Sequence, residues 1–258
     1  MTAHSFDDSE AYERFMGPWS RAVGKAFLGW LQPPTGARWL DVGCGTGIFT
    51  ELICDSCAPA SVIAIDPAKS QIAHACSARS RAQFQLADAQ DLPFGNASFD
   101  VVASALVMNF VPDRARAISQ MRRVARPGGL IAACVWDFGA ELSPSGPLRR
   151  AMRRIGIDPP PVPGTEASAH PVLADLFENG RLTAVTATCI EVAVCFRSFE
   201  DFWRSQTPRY APTTKVIASM TTRERRALME AVQTDLGPLP GGMGYSARAN
   251  AIRGHCPV

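Results

Sequence analysis

Lysine is nearly absent from this chain: of 26 basic residues only Lys25, Lys69 and Lys215 carry it, against 24 acidic residues. The resulting net charge of +2 is too weak to make nucleic acid or a membrane surface the main partner. The arginine bias reflects genome composition. Long apolar runs are also missing. The longest, Leu130 to Trp136, falls far short of the roughly 20 residues of a membrane helix. The opening "MTAHSFDDSEAYERF" is polar and acidic, without the basic-then-apolar layout of a secretory leader. A cytoplasmic setting is therefore expected. No metal is expected either. Cys54 and Cys57 form a C-x-x-C, but no second pair or suitably spaced histidine completes a zinc site, and the other six cysteines are scattered. They read as small buried hydrophobes in a reducing compartment.

What is present is ordinary for a globular protein: 47% apolar and 19% charged residues over 258 positions. A single domain is expected, with a helical cap over 1–37, a ligand-binding half over 38–137, a variable lid-like segment over 138–241 and a last strand over 242–258. Ser9 to Met16 and Trp19 to Leu31 read as two helical pieces broken at Gly17-Pro18. Strands then alternate with helices. Strands are expected at 38–42, 61–65, 84–86, 99–104 and 130–135, and helices near 47–54, 68–77 and 113–126, the last stopped by "RPGG". Such alternation means βαβ units, a parallel sheet and helices on both faces. After Asp137, loop-rich stretches flank an amphipathic helix at 148–155. Helices near 171–179, from 198 and over 222–236 follow, with strands near 184–194 and 243–254.

The stretch "LDVGCGTGIFT" sets Gly43, Gly45 and Gly47 at alternate positions between a strand and a helix. Glycine there permits a sharp turn and leaves room for a ligand against the main chain. The spacing is not G-x-G-x-x-G, and no G-K-[ST] follows, so the loop argues against a pyrophosphate ligand. The second strand ends in Asp66, where a carboxylate can accept bonds from two ribose hydroxyls. Asp66 also suits a helix N-cap ahead of Pro67. Asp88 and the N–H of Ala89 stand where an adenine's amine and ring nitrogen can be read, and Asp88 also fits a plain turn. Ser104 and Ala105 reach the same edge. A nucleoside with a small charged appendage, such as S-adenosylmethionine, satisfies this set.

Four ordered blocks carry a resemblance: "LDVGCGTG" (40–47), "AIDPAKSQI" (64–72), "ADAQDLPFGNASFDVV" (87–102) and "MRRVARPGGLIAA" (121–133). The chain resembles class I S-adenosylmethionine-dependent methyltransferases, in particular the bacterial type 11 group that includes quinone-pathway and other small-molecule enzymes. The resemblance implies a Rossmann-like, doubly wound, mostly parallel seven-stranded sheet with an antiparallel last strand. It implies S-adenosylmethionine as cofactor and a cofactor-binding set of Gly43, Cys44, Gly45, Gly47, Asp66, Pro67, Asp88, Ala89 and Ala105. "AYERFMGPWSR" (11–21) is similar to a segment that implies a helix over the cofactor, adding Tyr12 and Trp19.

The expected reaction is in-line methyl transfer to a small-molecule acceptor, mainly through positioning, by a monomer or homodimer. No catalytic residue is assigned. Asn109 stands where many relatives carry histidine, and among the histidines only His170 is a plausible base. "SALV" (104–107) replaces the N-P-P-Y tetrapeptide of adenine and amide methylation. Protein or RNA methylation, and binding of the cofactor without turnover, are the alternatives. Arg149, Arg150, Arg153 and Arg154 share one side of their helix, which reads as a solvated face, or else as a site for an anionic acceptor or partner. Phe202, Trp203 and Tyr210 suit either a lid core or an acceptor pocket.

Overall fold

A computed structural model describes residues 9–77, 80–208 and 211–258, apart from the side chains of 9–12. Tyr12 and Tyr210 therefore lie outside the described side chains, as does His4. Helix α1 spans Ser9–Leu31, followed by β1 (Arg38–Val42), α2 (Ile48–Ser56), β2 (Ser61–Asp66), α3 (Lys69–Ser77), β3 (Gln83–Leu86) and β4 (Phe99–Ala105). Then come α4 (Arg114–Val124), β5 (Ala125–Trp136), α5 (Gly146–Arg154), α6 (His170–Asn179) and β6 (Thr183–Phe196). The chain continues through α7 (Phe199–Gln206), α8 (Pro212–Ser219), α9 (Thr222–Gln233), β7 (Gly237–Leu239) and β8 (Gly242–His255).

The sheet runs β3-β2-β1-β4-β5-β8-β6, with β7 pairing β8. The strands from β3 to β5 are mutually parallel, and β8 lies antiparallel between β5 and β6. An antiparallel last strand is as expected. The expected count of seven is exceeded by the three-residue β7, too short to leave a sequence pattern. The expected lid-like segment is also more than a lid. Its β6 lines up against β8 from Thr183↔His255 to Phe196↔Met243, and α5, α7, α8 and α9 send Met152, Phe202, Ile217 and Leu228 into the core.

Strand β1 shows why the sheet is buried on both faces. Trp39 joins a core layer with Val101, Ala103 and Ala132, while its neighbours Leu40 and Val42 join the opposite layer with Val102, Ile131 and Ala133. Period-two alternation thus feeds two cores. Helices α1 and α2 cover one layer with Val23, Phe27 and Leu52. Helices α4 and α6 cover the other with Ile118, Met121 and Phe177.

Helix α1 runs unbroken through Pro18, contrary to the expected split. Pro18 is exposed, whereas Trp19, Val23, Phe27 and Leu31 form a buried stripe at intervals of four. An interior proline costs about 3 kcal/mol. Burying each of these large side chains returns roughly 1.5–3 kcal/mol. Packing therefore outweighs propensity. Helix α4 starts where expected, its Asp113 side chain accepting the Arg116 N–H, but stops at Val124. Ala125 already pairs with Phe99, and the register jumps to Val101↔Leu130, so "RPGG" bulges out of the ladder. Pro127 disfavours helical geometry at Arg126, and Gly128 takes φ +71°.

Candidate active site

The carboxyl ends of β1, β2 and β4 meet at one rim. The three glycines there all have positive φ, of +80°, +54° and +94° for Gly43, Gly45 and Gly47. Their surroundings differ. A β-carbon on Gly43 would come within 2.5 Å of the Val107 side chain, and one on Gly47 within 3.3 Å of the Phe84 ring. A β-carbon on Gly45 would meet nothing within 4 Å. Two of the glycines thus serve close packing, and Gly45 alone presents bare main chain to open space.

Asp66 is tied to this loop. Its Oδ2 accepts the Gly45 N–H at 3.0 Å, and its Oδ1 accepts the Ala68 N–H at 2.9 Å. The second bond is the N-cap geometry that the sequence permits. Each oxygen keeps a second lone pair, so the cap and a ribose contact are compatible. Burial pushes the Asp66 carboxyl above its usual range, against the pull of those two N–H groups. Pro67 follows directly, and the Asp66 carbonyl accepts the Ala87 N–H at 3.2 Å, which brings the third strand's end to the same rim.

Asp88 is exposed, and its carboxylate is engaged by Gln90, which donates its backbone N–H at 2.8 Å and its amide at 3.0 and 3.1 Å. This is the plain-turn arrangement, beside the buried Ala89. Ala105 ends β4 half-buried. Cys44 is buried, which raises its thiol far above the normal range, so it is no thiolate nucleophile. Trp19 is 1% exposed and packed against Trp136 and Tyr245, with ring centroids at 6.2 and 4.8 Å. It belongs to the core and not to the rim expected for it, because the continuous α1 turns it inward.

Asp41 was not singled out in the sequence. It is 1% exposed; Thr50 donates to its Oδ2 at 2.6 Å, and its Oδ1 has no partner. Burial pushes its carboxyl up to about 7, with the nearby Asp66 charge adding to the rise. The available signal was an acid inside the apolar run of β1 from Trp39 to Val42.

Next to the loop, Leu106 adopts φ +65° and donates its N–H to the Cys134 carbonyl at 2.7 Å. Leu106 lines a cavity of about 180 Å³, while its neighbour Val107 packs on Gly43. Phe15, Phe110, Trp136 and Phe138 supply aromatic walls, and Pro160 to Pro163 a rim. Asn109 holds that rim, donating to the Pro163 carbonyl at 3.3 Å. His170 sits elsewhere, its Nε2 2.8 Å from the Thr188 carbonyl, which removes it as a base for this cavity. Phe202 is core. The expected solvated arginine face holds for the exposed Arg153 and Arg154 and the half-buried Arg150, but Arg149 is buried, and all four are paired. Arg149 and Arg153 pair with Glu141, and Arg150 and Arg154 with Asp235.

Residues 40–133 match the family described as a methyltransferase domain. This segment is a class I methyltransferase domain. The family's cofactor is S-adenosylmethionine. An O-methyltransferase of Penicillium expansum is 38% identical over 122 residues, 44% of each chain. The 27-O-demethylrifamycin SV methyltransferase of Amycolatopsis mediterranei is 36% identical over 124 residues, 46% of this chain and 44% of that one. The chain spans about half the length of the curated relatives it matches. In fold, it is similar to phosphoethanolamine N-methyltransferase 2 of Haemonchus contortus in complex with S-adenosyl-L-methionine. That likeness has TM-score 0.60 at 16% identity and covers all of this chain and 59% of the other. Two features of the methyltransferase domain fit the cofactor: the open side of Gly45 and the unpartnered Asp41 Oδ1 behind the same loop.

Proposed function

We propose that this chain transfers a methyl group from S-adenosylmethionine to a small-molecule acceptor held in the cavity beside Leu106. One observation carries the reading. A single short turn, Leu106-Val107, touches the glycine loop on one side and lines an aromatic cavity on the other. A cofactor against Gly45 and an acceptor in the cavity would therefore be neighbours.

The cofactor, when bound, supplies a methyl carbon already activated by a positive sulfur. The residues that would hold it are Gly43, Cys44, Gly45 and Gly47 through the main chain, and Asp66 with Pro67 at the sugar. Ala89 and Ala105 would flank the base and the methyl end, with Asp88 free to exchange Gln90 for a ligand amine. The protein's own work is placement. Holding two reactants in line can supply roughly 7–11 kcal/mol of barrier reduction. No histidine reaches the cavity among the described residues, and burial holds the thiol of Cys44 and the phenol of Tyr245 protonated. The acceptor is thus either nucleophilic already or loses its proton to solvent.

A net charge of +2 favours a small acceptor over nucleic acid. Eight free thiols suit the cytoplasm. We assign a monomer or homodimer, which sedimentation reads directly. The test of the activity is calorimetry with adenosylhomocysteine, followed by incubation of the chain with methyl-labelled cofactor and a panel of phenols, amines and acids. The expected result is micromolar binding and label in one acceptor class. Absence of binding would overturn the reading, and binding with no transfer would leave a cofactor sensor.

A further inference from the structure

A second cavity, of about 250 Å³, lies at the opposite edge of the sheet from the glycine loop. Leu31 and Pro34 line it from the end of α1, Asp100 from the start of β4, Arg126 from the bulge before Leu130, and Arg253 and His255 from the end of β8. Strand β4 runs from Phe99 to Ala105 at the rim, so the two edges are roughly 20 Å apart. Among the described residues the charges here do not balance. The Asp100 carboxylate accepts the Arg38 N–H at 2.7 Å and Nε at 3.1 Å, and Arg126 Nε lies 3.0 Å from its other oxygen. The bond from Arg38 holds the Asp100 carboxyl below its usual range. Arg253, by contrast, enters no ion pair among the described residues.

Arg253 is nonetheless fixed in place. Its Nη1 donates to the Trp30 and Leu31 carbonyls, both at 3.0 Å, and its Nε to Thr186 Oγ1 at 3.2 Å. Its guanidinium carbon sits 4.8 Å from the centroid of the Trp30 ring. Nη2 is left without a hydrogen-bond partner among the described residues, and so are both terminal nitrogens of Arg126, whose side chain is 52% exposed. His255 Nδ1 lies 3.2 Å from the Gly128 carbonyl, which can only accept, so Nδ1 carries the proton and Nε2 is the free ring nitrogen. No hidden acid redresses the balance. The acids outside the described residues are Asp7, Asp8 and the Glu10 side chain. They belong to the other end of α1, a helix of 23 residues and roughly 34 Å.

We infer that this cavity is a second ligand site, built for a small phosphate monoester. The guanidiniums of Arg38, Arg126 and Arg253 stand against the one carboxylate of Asp100, which leaves two positive charges, the match of a phosphate dianion. Unbonded N–H groups of Arg126 and Arg253 supply charge-assisted bonds from two separate segments, which suits a tetrahedral head better than a flat carboxylate. Leu31, Pro34 and Leu130 give the ester's organic group an apolar floor. A bound phosphate would tie the end of α1, the bulge and β8 together, a strand's length from Gly45. The site therefore stands apart from the methyltransferase reading, and neither depends on the other.

The experiment is calorimetry on the full chain at pH 8 and fixed ionic strength, with and without adenosylhomocysteine. The probes are phenyl phosphate, inorganic phosphate and benzoate; at this pH both phosphates are dianions. Phenyl phosphate should bind with a dissociation constant of about 1 mM or tighter, at least about threefold more tightly than inorganic phosphate and roughly tenfold more tightly than benzoate. Arg126→Gln and Arg253→Gln should each weaken phenyl phosphate roughly tenfold. Arg223→Gln, at an exposed position of α9, removes the same charge elsewhere and should change nothing. Should Arg253→Gln fail to fold for want of its bonds to α1, the exposed Arg126→Gln carries the test. Benzoate or inorganic phosphate binding as tightly as the ester, or an affinity untouched in the Arg126 variant, overturns the site. Competition between phenyl phosphate and adenosylhomocysteine also overturns it, because the phosphate would then lie at the cofactor loop. Failure to bind adenosylhomocysteine overturns the methyltransferase reading instead and leaves this site standing.

Discussion

The backbone N–H of Gly45 donates to the carboxylate of Asp66 over 3.0 Å, which pins the loop after β1 to the end of β2. Removing that carboxylate unties two N–H groups, those of Gly45 and Ala68. Asp66→Ala should lower stability by about 1–3 kcal/mol and weaken adenosylhomocysteine binding at least roughly tenfold. Asp66→Asn keeps one acceptor oxygen and should lose less on both counts. Thermal melts and calorimetry on the two variants check this.

The glycines of the loop should separate by substitution. At Gly45 a methyl group meets open space but suffers the positive φ, at a cost of roughly 1–2 kcal/mol. Gly45→Ala should therefore fold and lose cofactor affinity. Gly43→Ala drives a methyl group to within 2.5 Å of Val107 and should lose more stability. Val107→Ala added to Gly43→Ala should recover part of that loss, as chemical denaturation would read.

Asp41 predicts a pH dependence of stability. Its carboxyl is raised from 3.8 to about 7 by burial. Between these values the native state holds a proton that the unfolded chain has released, so stability falls as pH rises and levels off above about 7. The loss is on the order of 4 kcal/mol at most. Asp66, raised for the same cause, acts in the same direction. In Asp41→Asn the slope between pH 4.5 and 7.5 should flatten relative to the wild type. An unchanged slope in denaturant midpoints would refute the buried, partly unpartnered carboxyl as its source.

Gly164 holds the proline rim in place. Its φ is +67°, and a β-carbon there would collide with the Asn109 carbonyl oxygen. Gly164→Ala should push the loop off the cavity, raising KM for the acceptor severalfold while adenosylhomocysteine affinity holds. Loss of both affinities together would show that the rim supports the cofactor loop as well.

The first half of the fold was legible because its signals are local. β1, the three glycines and Asp66 lie within 29 consecutive positions from Arg38 to Asp66. Asp66 was readable both as a cap and as a ligand acid, and its two N–H bonds are compatible with both. Asp41 was in plain view within "LDVG", yet its orphan oxygen depends on burial that only the assembled sheet produces. The break expected at Pro18 failed for a related reason: the energy that keeps α1 whole comes from the stripe it buries against α2 and the sheet.

The sequence by itself determined the alternation of strands and helices, the rim where a nucleoside can lie, and the carboxylate beside it. These follow from hydrophobic period, glycine spacing and the reach of a βα turn, all of which act over a few residues. Only the tertiary structure decided that Trp19 faces inward, that Arg149 is neutralised by Glu141, and that the buried Gln206 is left with an unpartnered oxygen. Those outcomes join α1, the β4 and β5 ends, the proline loop and α7. Elements so distant in sequence meet only through packing, and which polar atom is left unsatisfied is settled by the last neighbour to arrive.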